Sequence, residues 1–176
     1  MLARESATAV RVLLAPGSRS QREVAVIESL AEVLGPGRSL SVTRLDDRAA
    51  ADATVLAGHH VLVDALSLGE HSNLAARALA HGLVVLTGVR SHLAEGVLAA
   101  HLADLGLPPD TLDQVLVTTR PADLPDVLPD VIAALEGESA DGSTHTADLA
   151  RHVASALHGP RSARLVIERV LGSASA

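Results

Sequence analysis

The chain has 176 residues, a formal net charge of −7 and 48% hydrophobic residues, and it contains no Phe, Tyr, Trp, Cys or Lys. Length and apolar content fit one domain with a sizeable core and exclude a chain disordered throughout. The missing residue types exclude aromatic base-stacking platforms, disulfides, thiolate catalysis, Cys-ligated metals, Schiff bases and a Walker-type phosphate lysine.

Negative charge disfavours polyanions, so nucleic acid is not an expected partner, although a few Arg residues can still hold a small anion. No apolar run is long enough to span a bilayer and no signal-peptide pattern is present, so the default compartment is the cytoplasm.

Residues 1–9 read as a loose lead-in. Residues 10–15 (VRVLLA) form a first buried strand, ended by Pro16-Gly17. The loop PGSRSQRE follows, and 24–34 has helical periodicity up to Gly35-Pro36-Gly37. Residues 40–45 alternate as a strand, and Asp46 or Asp47 can cap a short helix over 48–57. The stretch HVLVDALSLGEHSNLAARALAHGLVVLTG organises the rest of the chain. It reads as a buried strand over 61–63, an Asp, a polar turn, an amphipathic helix and a second buried strand over 83–87. Leu74, Ala75, Ala78 and Leu79 share one helix face. Ser72 or Asn73 caps its start and Gly82 its end. Beyond lie a helix over 91–105, a strand over 114–119 and a helix starting near Pro121 and ending at Leu135. Residues 137–146 read as a flexible polar loop, 147–171 as C-terminal helices on the same domain, and 172–176 as a tail.

Strands alternating with helices predict an α/β fold: a single Rossmann-like, doubly wound parallel sheet of about five strands flanked by helices, over residues 10–136. Right-handed crossovers suggest the order 2-1-3-4-5. The topological switch then falls between the first strand and the strand ending at Asp64, and ligands bind such sheets at the carboxyl ends beside the switch. One loop there brings Gly17, Ser18, Arg19 and Arg22. The other brings Gly69, Glu70, His71, Ser72 and Asn73 with a helix N-terminus. Together they suit a phosphate or diphosphate. Glu70 can accept hydrogen bonds from hydroxyls, and His71 can donate or act as acid or base. The alternative at each loop is a solvated turn or a capped helix start. The nine His residues show no ligand spacing, so no metal or other cofactor is implied, and surface or capping roles are favoured. There is no Gly-x-Ser-x-Gly elbow and no GxGxxG.

Residues 10–18 (VRVLLAPGS), 61–86 (VLVDALSLGEHSNLAARALAHGLVVL), 124–135 and 158–164 (HGPRSAR) stand in an order that resembles the C-terminal, donor-binding half of GT-B-type glycosyltransferases. The resemblance implies a nucleotide-diphosphate sugar as partner. Arg19 or Arg22 would sit on the diphosphate, and Glu70 to Asn73 on the distal phosphate and sugar. It also implies an acceptor-binding half that is missing here, because these 176 residues match only the donor half; an acceptor-binding protein subunit is one source of it. Two departures stand out. The positions of the paired Glu of retaining members hold Gly69 and Arg77, and Arg replaces the diphosphate Lys. Two readings remain: a donor domain of a truncated or split glycosyltransferase, or a non-catalytic relative kept for interaction or assembly, such as a homo-oligomer.

Overall fold

Five short strands build the centre of the molecule: β1 (Val10–Leu14), β2 (Leu40–Arg44), β3 (Val61–Asp64), β4 (Val84–Thr87) and β5 (Leu116–Thr118). The computed structural model describes residues 10–15, 40–45, 53–64, 72–87, 106–108, 111–158, 160 and 163–164. The strands form one sheet in the order β2-β1-β3-β4-β5, every neighbouring pair parallel. This is the Rossmann-like α/β architecture and the strand order that the sequence predicts. Their apolar runs are short and nearly continuous because helices cover both faces of the sheet.

The helices among the described residues are α1 (Ala53–Leu56), α2 (Ser72–Ala80), α3 (Thr111–Val115), α4 (Leu124–Ala140) and α5 (His145–His158). Strand alternation divides the core in two. Leu13, Leu62, Val85 and Leu116 point to one face, where Leu56 of α1, Leu74, Ala78 and Leu79 of α2, Leu112 and Val115 of α3 and Ala150, Val153 and Leu157 of α5 pack on them. Val10, Val12, Leu14, Val61, Val63 and Leu86 point to the other face, where Leu124, Leu128 and Ile132 of α4 cover them. Each fully buried Leu or Val stabilises the fold by roughly 1.5–3 kcal/mol relative to exposure.

α2 buries the four positions that its periodicity selects: Leu74, Ala75, Ala78 and Leu79. It ends in a Schellman turn. The Leu83 N–H donates to the Ala78 carbonyl at 3.0 Å and the Gly82 N–H to the Leu79 carbonyl at 2.9 Å, with Gly82 at φ 85°.

Two stretches differ from the sequence reading. The segment 137–146 is not a flexible loop: α4 runs on through Ala140, and α5 starts at His145. α4 persists because Leu128 and Ile132 anchor it on the sheet, with half-buried Leu135 beside them, and its stop lies five residues later than the sequence suggests. There the Ser143 N–H donates to the Glu138 carbonyl at 2.8 Å and the Gly142 N–H to the Ser139 carbonyl at 3.3 Å, the same Schellman closure. Gln114 and Val115 belong to α3 rather than to the fifth strand, since one helical turn lets Thr111, Leu112 and Val115 bury together. Pro121 opens a 3-10 turn (Pro121–Asp123) ahead of α4, whose own start at Leu124 is three residues later than expected. The segments 1–9, 24–34, 91–105 and 172–176 lie outside the described residues, as does nearly all of 161–171.

Candidate functional site

At the carboxyl edge β1 and β3 end side by side. The Ala15 N–H donates to the Val63 carbonyl at 2.9 Å, and the Leu45 N–H donates to the Leu14 carbonyl at 2.9 Å, so β2, β1 and β3 finish level. From β1 the chain crosses to β2 on one side, and from β3 it crosses to β4 on the other. This is a topological switch, where two connections part and leave a crevice. α2, which follows β3, begins at Ser72, and the first N–H groups of a helix lack intrahelical partners.

Of the residues singled out from the sequence, Ser72 and Asn73 form the first turn of α2. Gly17, Ser18, Arg19, Arg22, Gly69, Glu70 and His71 lie outside the described residues. The switch therefore brings together the ends of the strands from which both candidate loops depart. Arg77 is half-buried in the last turn of α2, where a cation suits the negative end of the helix dipole.

A row of buried polar side chains marks the same edge. Asp64 is 4% exposed, Thr87 6% and Thr119 3%, and they stand at the ends of three adjacent strands. Asp64 and Thr87 are register partners, and the Thr119 N–H donates to the Thr87 carbonyl at 2.9 Å. The two threonines carry no signal in the sequence, because each looks like an ordinary strand end until the register aligns them. Beyond β5, the exposed Arg120 guanidinium is committed to Asp123 through Nε at 2.7 Å and Nη2 at 3.1 Å. That pairing holds the Asp123 carboxyl below, and the guanidinium above, their ordinary pKa values.

The opposite, amino edge carries two openings. One is a cleft of about 190 Å³ between His60, Gly82, the end of α4 (Glu136, Glu138) and the start of α5 (Ala147). The other is an open groove of about 250 Å³ beside α4, whose apolar wall is Val84, Val117, Val131, Ala134 and Leu135. The sequence favours surface or capping roles for His59 and His60, and both are half-buried here rather than on the surface. Burial lowers both pKa values and the Arg11 charge lowers them further, while carbonyls of Val55 and Ala57 pull His59 the other way. Among the described residues no group of three or more His, Asp or Glu is arranged to hold a metal ion, and no helix is long and apolar enough to cross a membrane.

Compared with known protein families, with curated proteins and with solved structures, the chain matches none.

Proposed function

We propose that the chain is a donor-binding domain for a nucleotide-diphosphate sugar, working with an acceptor-binding half supplied from outside these 176 residues. The observation that supports this reading is the switch between β1 and β3, with α2 starting just beyond the end of β3. A helix N-terminus at a switch point suits the negative charge of a diphosphate. Arg19 and Arg22, which follow β1 in the sequence, would supply the balancing cations. In a transfer reaction these groups would stabilise the charge that builds on the departing diphosphate, an electrostatic contribution that needs no nucleophile on this chain.

The test is a calorimetric titration of the purified chain with UDP, GDP and their sugar conjugates, with Arg22→Ala as control. Saturable binding weakened by the substitution supports the reading, and no heat from a folded sample with any of them overturns it. Because the chain has no aromatic residue, a nucleotide that co-purifies is also seen directly in the near-ultraviolet against a nearly silent background.

One observation favours a second reading. The groove walled by Val84, Val117, Val131, Ala134 and Leu135 lies at the edge away from the switch and is largely apolar. That suits a protein kept for assembly rather than chemistry. Sedimentation velocity separates the two: a concentration-dependent oligomer that ignores nucleotides supports assembly.

A further inference from the structure

The amino ends of β1 and β3 are joined through a side chain as well as through the backbone. The Arg11 N–H donates to Nδ1 of His60 at 3.0 Å, and the His60 N–H donates to the Arg11 carbonyl at 2.9 Å. The ring nitrogen stands where a longer β3 would supply a carbonyl. This bond dictates the tautomer: Nδ1 accepts, so the neutral ring carries its proton on Nε2. The Arg11 guanidinium lies over the turn before His59, its Nη2 3.5 Å from where a Gly58 Cβ would stand. His59 keeps its Nδ1 buried and without a hydrogen-bond partner among the described residues. Three groups that are cationic in acid thus share one junction.

We infer that this junction is an acid-opened clasp: protonation of His60 at Nδ1 turns its acceptor into a second donor facing the Arg11 N–H, and the strand starts come apart. Among the described residues, the charged groups around the ring take part in setting the two states. Arg11 on β1 and the adjacent His59 oppose a charged His60. Across the cleft that His60 lines, α4 presents Glu136 and Glu138, with Glu138 already accepting from the first turn of α5. α5 adds Arg151, which is paired with Asp148 at 2.7 Å and packs on Gly82 at the same cleft. The neutral ring is sealed to Arg11, whereas the charged ring has carboxylates of the opposite wall to turn toward. Burial and the Arg11 charge place the opening below the ordinary histidine range. The inference concerns the amino edge only and stands whether or not the carboxyl edge binds a nucleotide.

Amide hydrogen exchange on the full chain tests it, corrected for intrinsic rates, at about pH 7.5 and about pH 4.5, above and well below the ordinary histidine value. The expected result is an about tenfold acid loss of protection at the Arg11 and His60 amides, the scale of one hydrogen bond, with the α5 core amides unchanged. His60→Asn places Oδ1 where Nδ1 stood and does not titrate, so it keeps the protection at both pH values. Equal protection of the native chain at both pH values overturns the inference, as does an equal acid loss in the Asn variant. Should that variant fail to fold, an NMR titration of the native chain decides. An Arg11 amide shift that tracks the His60 ring supports the clasp, and one that ignores it overturns the clasp.

Discussion

Glu138 and Thr146 tie the end of α4 to the start of α5. The Glu138 carboxylate accepts from the Thr146 N–H at 3.0 and 3.2 Å and also from its hydroxyl. One side chain thereby satisfies an orphan N–H in the first turn of α5 and sets a negative charge against the positive end of that helix. Glu138→Ala is expected to destabilise the fold by about 1–2 kcal/mol, the range of a lost N-terminal cap. Urea unfolding measures it. A midpoint identical to that of the unaltered chain would mean that solvent replaces the carboxylate without loss.

Two glycines make an opposed pair. At Gly82, with φ 85°, an added Cβ would stand 3.0 Å from Arg151 Nη2 and 3.2 Å from the Ala147 Cβ. The half-exposed Arg151 can swing away, but Ala147 is fixed on α5. Gly82→Ala is therefore expected to cost about 1–2 kcal/mol in backbone strain, before any cost of displacing Ala147. Gly137 lies inside α4 with nothing within 4 Å of an added Cβ. Gly137→Ala is expected to stabilise by about 0.5–1 kcal/mol. Denaturant midpoints that move in the same direction for both would contradict this.

α4 covers its face of the sheet with few large side chains, of which Leu128 is 0% exposed. Leu128→Ala is expected to cost about 2–5 kcal/mol, the transfer of the lost atoms plus the cavity they leave. Thermal unfolding followed by far-ultraviolet circular dichroism reads the change. A loss below about 1 kcal/mol would show that α4 settles into the space.

His59 and His60 set the pH dependence. Both folded-state pKa values are lowered, so the unfolded chain binds more protons than the folded one as these groups titrate. Their contribution is fully present above the unfolded value, about 6.5, and is lost as pH falls through the lower folded values. Urea midpoints should therefore decline below about pH 6.5, ahead of the carboxylate transition near pH 4. A midpoint that stays flat until the carboxylates protonate would contradict it.

Much of the fold is legible because its signals are local. The strands over 10–15, 40–45 and 61–63 are short apolar runs, and α2 declares itself by Leu74, Ala75, Ala78 and Leu79 together with its stop at Gly82. The end of α4 is not legible locally, because Glu136-Gly137-Glu138-Ser139 has the composition of a loop. Its helical state rests on closure at Asp141-Gly142 and on the Glu138 carboxylate, both of which depend on where α5 begins. α3 is hidden in the sequence because Gln114 and Val115 fit a strand pattern as well as a helical turn, and only the shared burial of Leu112 and Val115 decides between them. At the site, the switch follows from element order alone. The alignment of Asp64, Thr87 and Thr119 depends on register, which no local pattern encodes. The role of His60 depends on β1 lying beside it, across a separation of 49 residues.

Because Ala150, Val153 and Leu157 of α5 complete the same core cluster as Leu74, Ala78 and Leu79 of α2, the α2 face cannot close until a much later part of the chain arrives. During synthesis on the ribosome, α2 emerges with its apolar stripe still lacking α5. Sealing that face waits for α5, so the nascent polypeptide carries an exposed apolar surface from the emergence of α2 until α5 follows. A holdase chaperone that recognises apolar stretches has its opportunity on this segment in that interval, and a stall between α4 and α5 leaves α2 on the sheet without its packing partner.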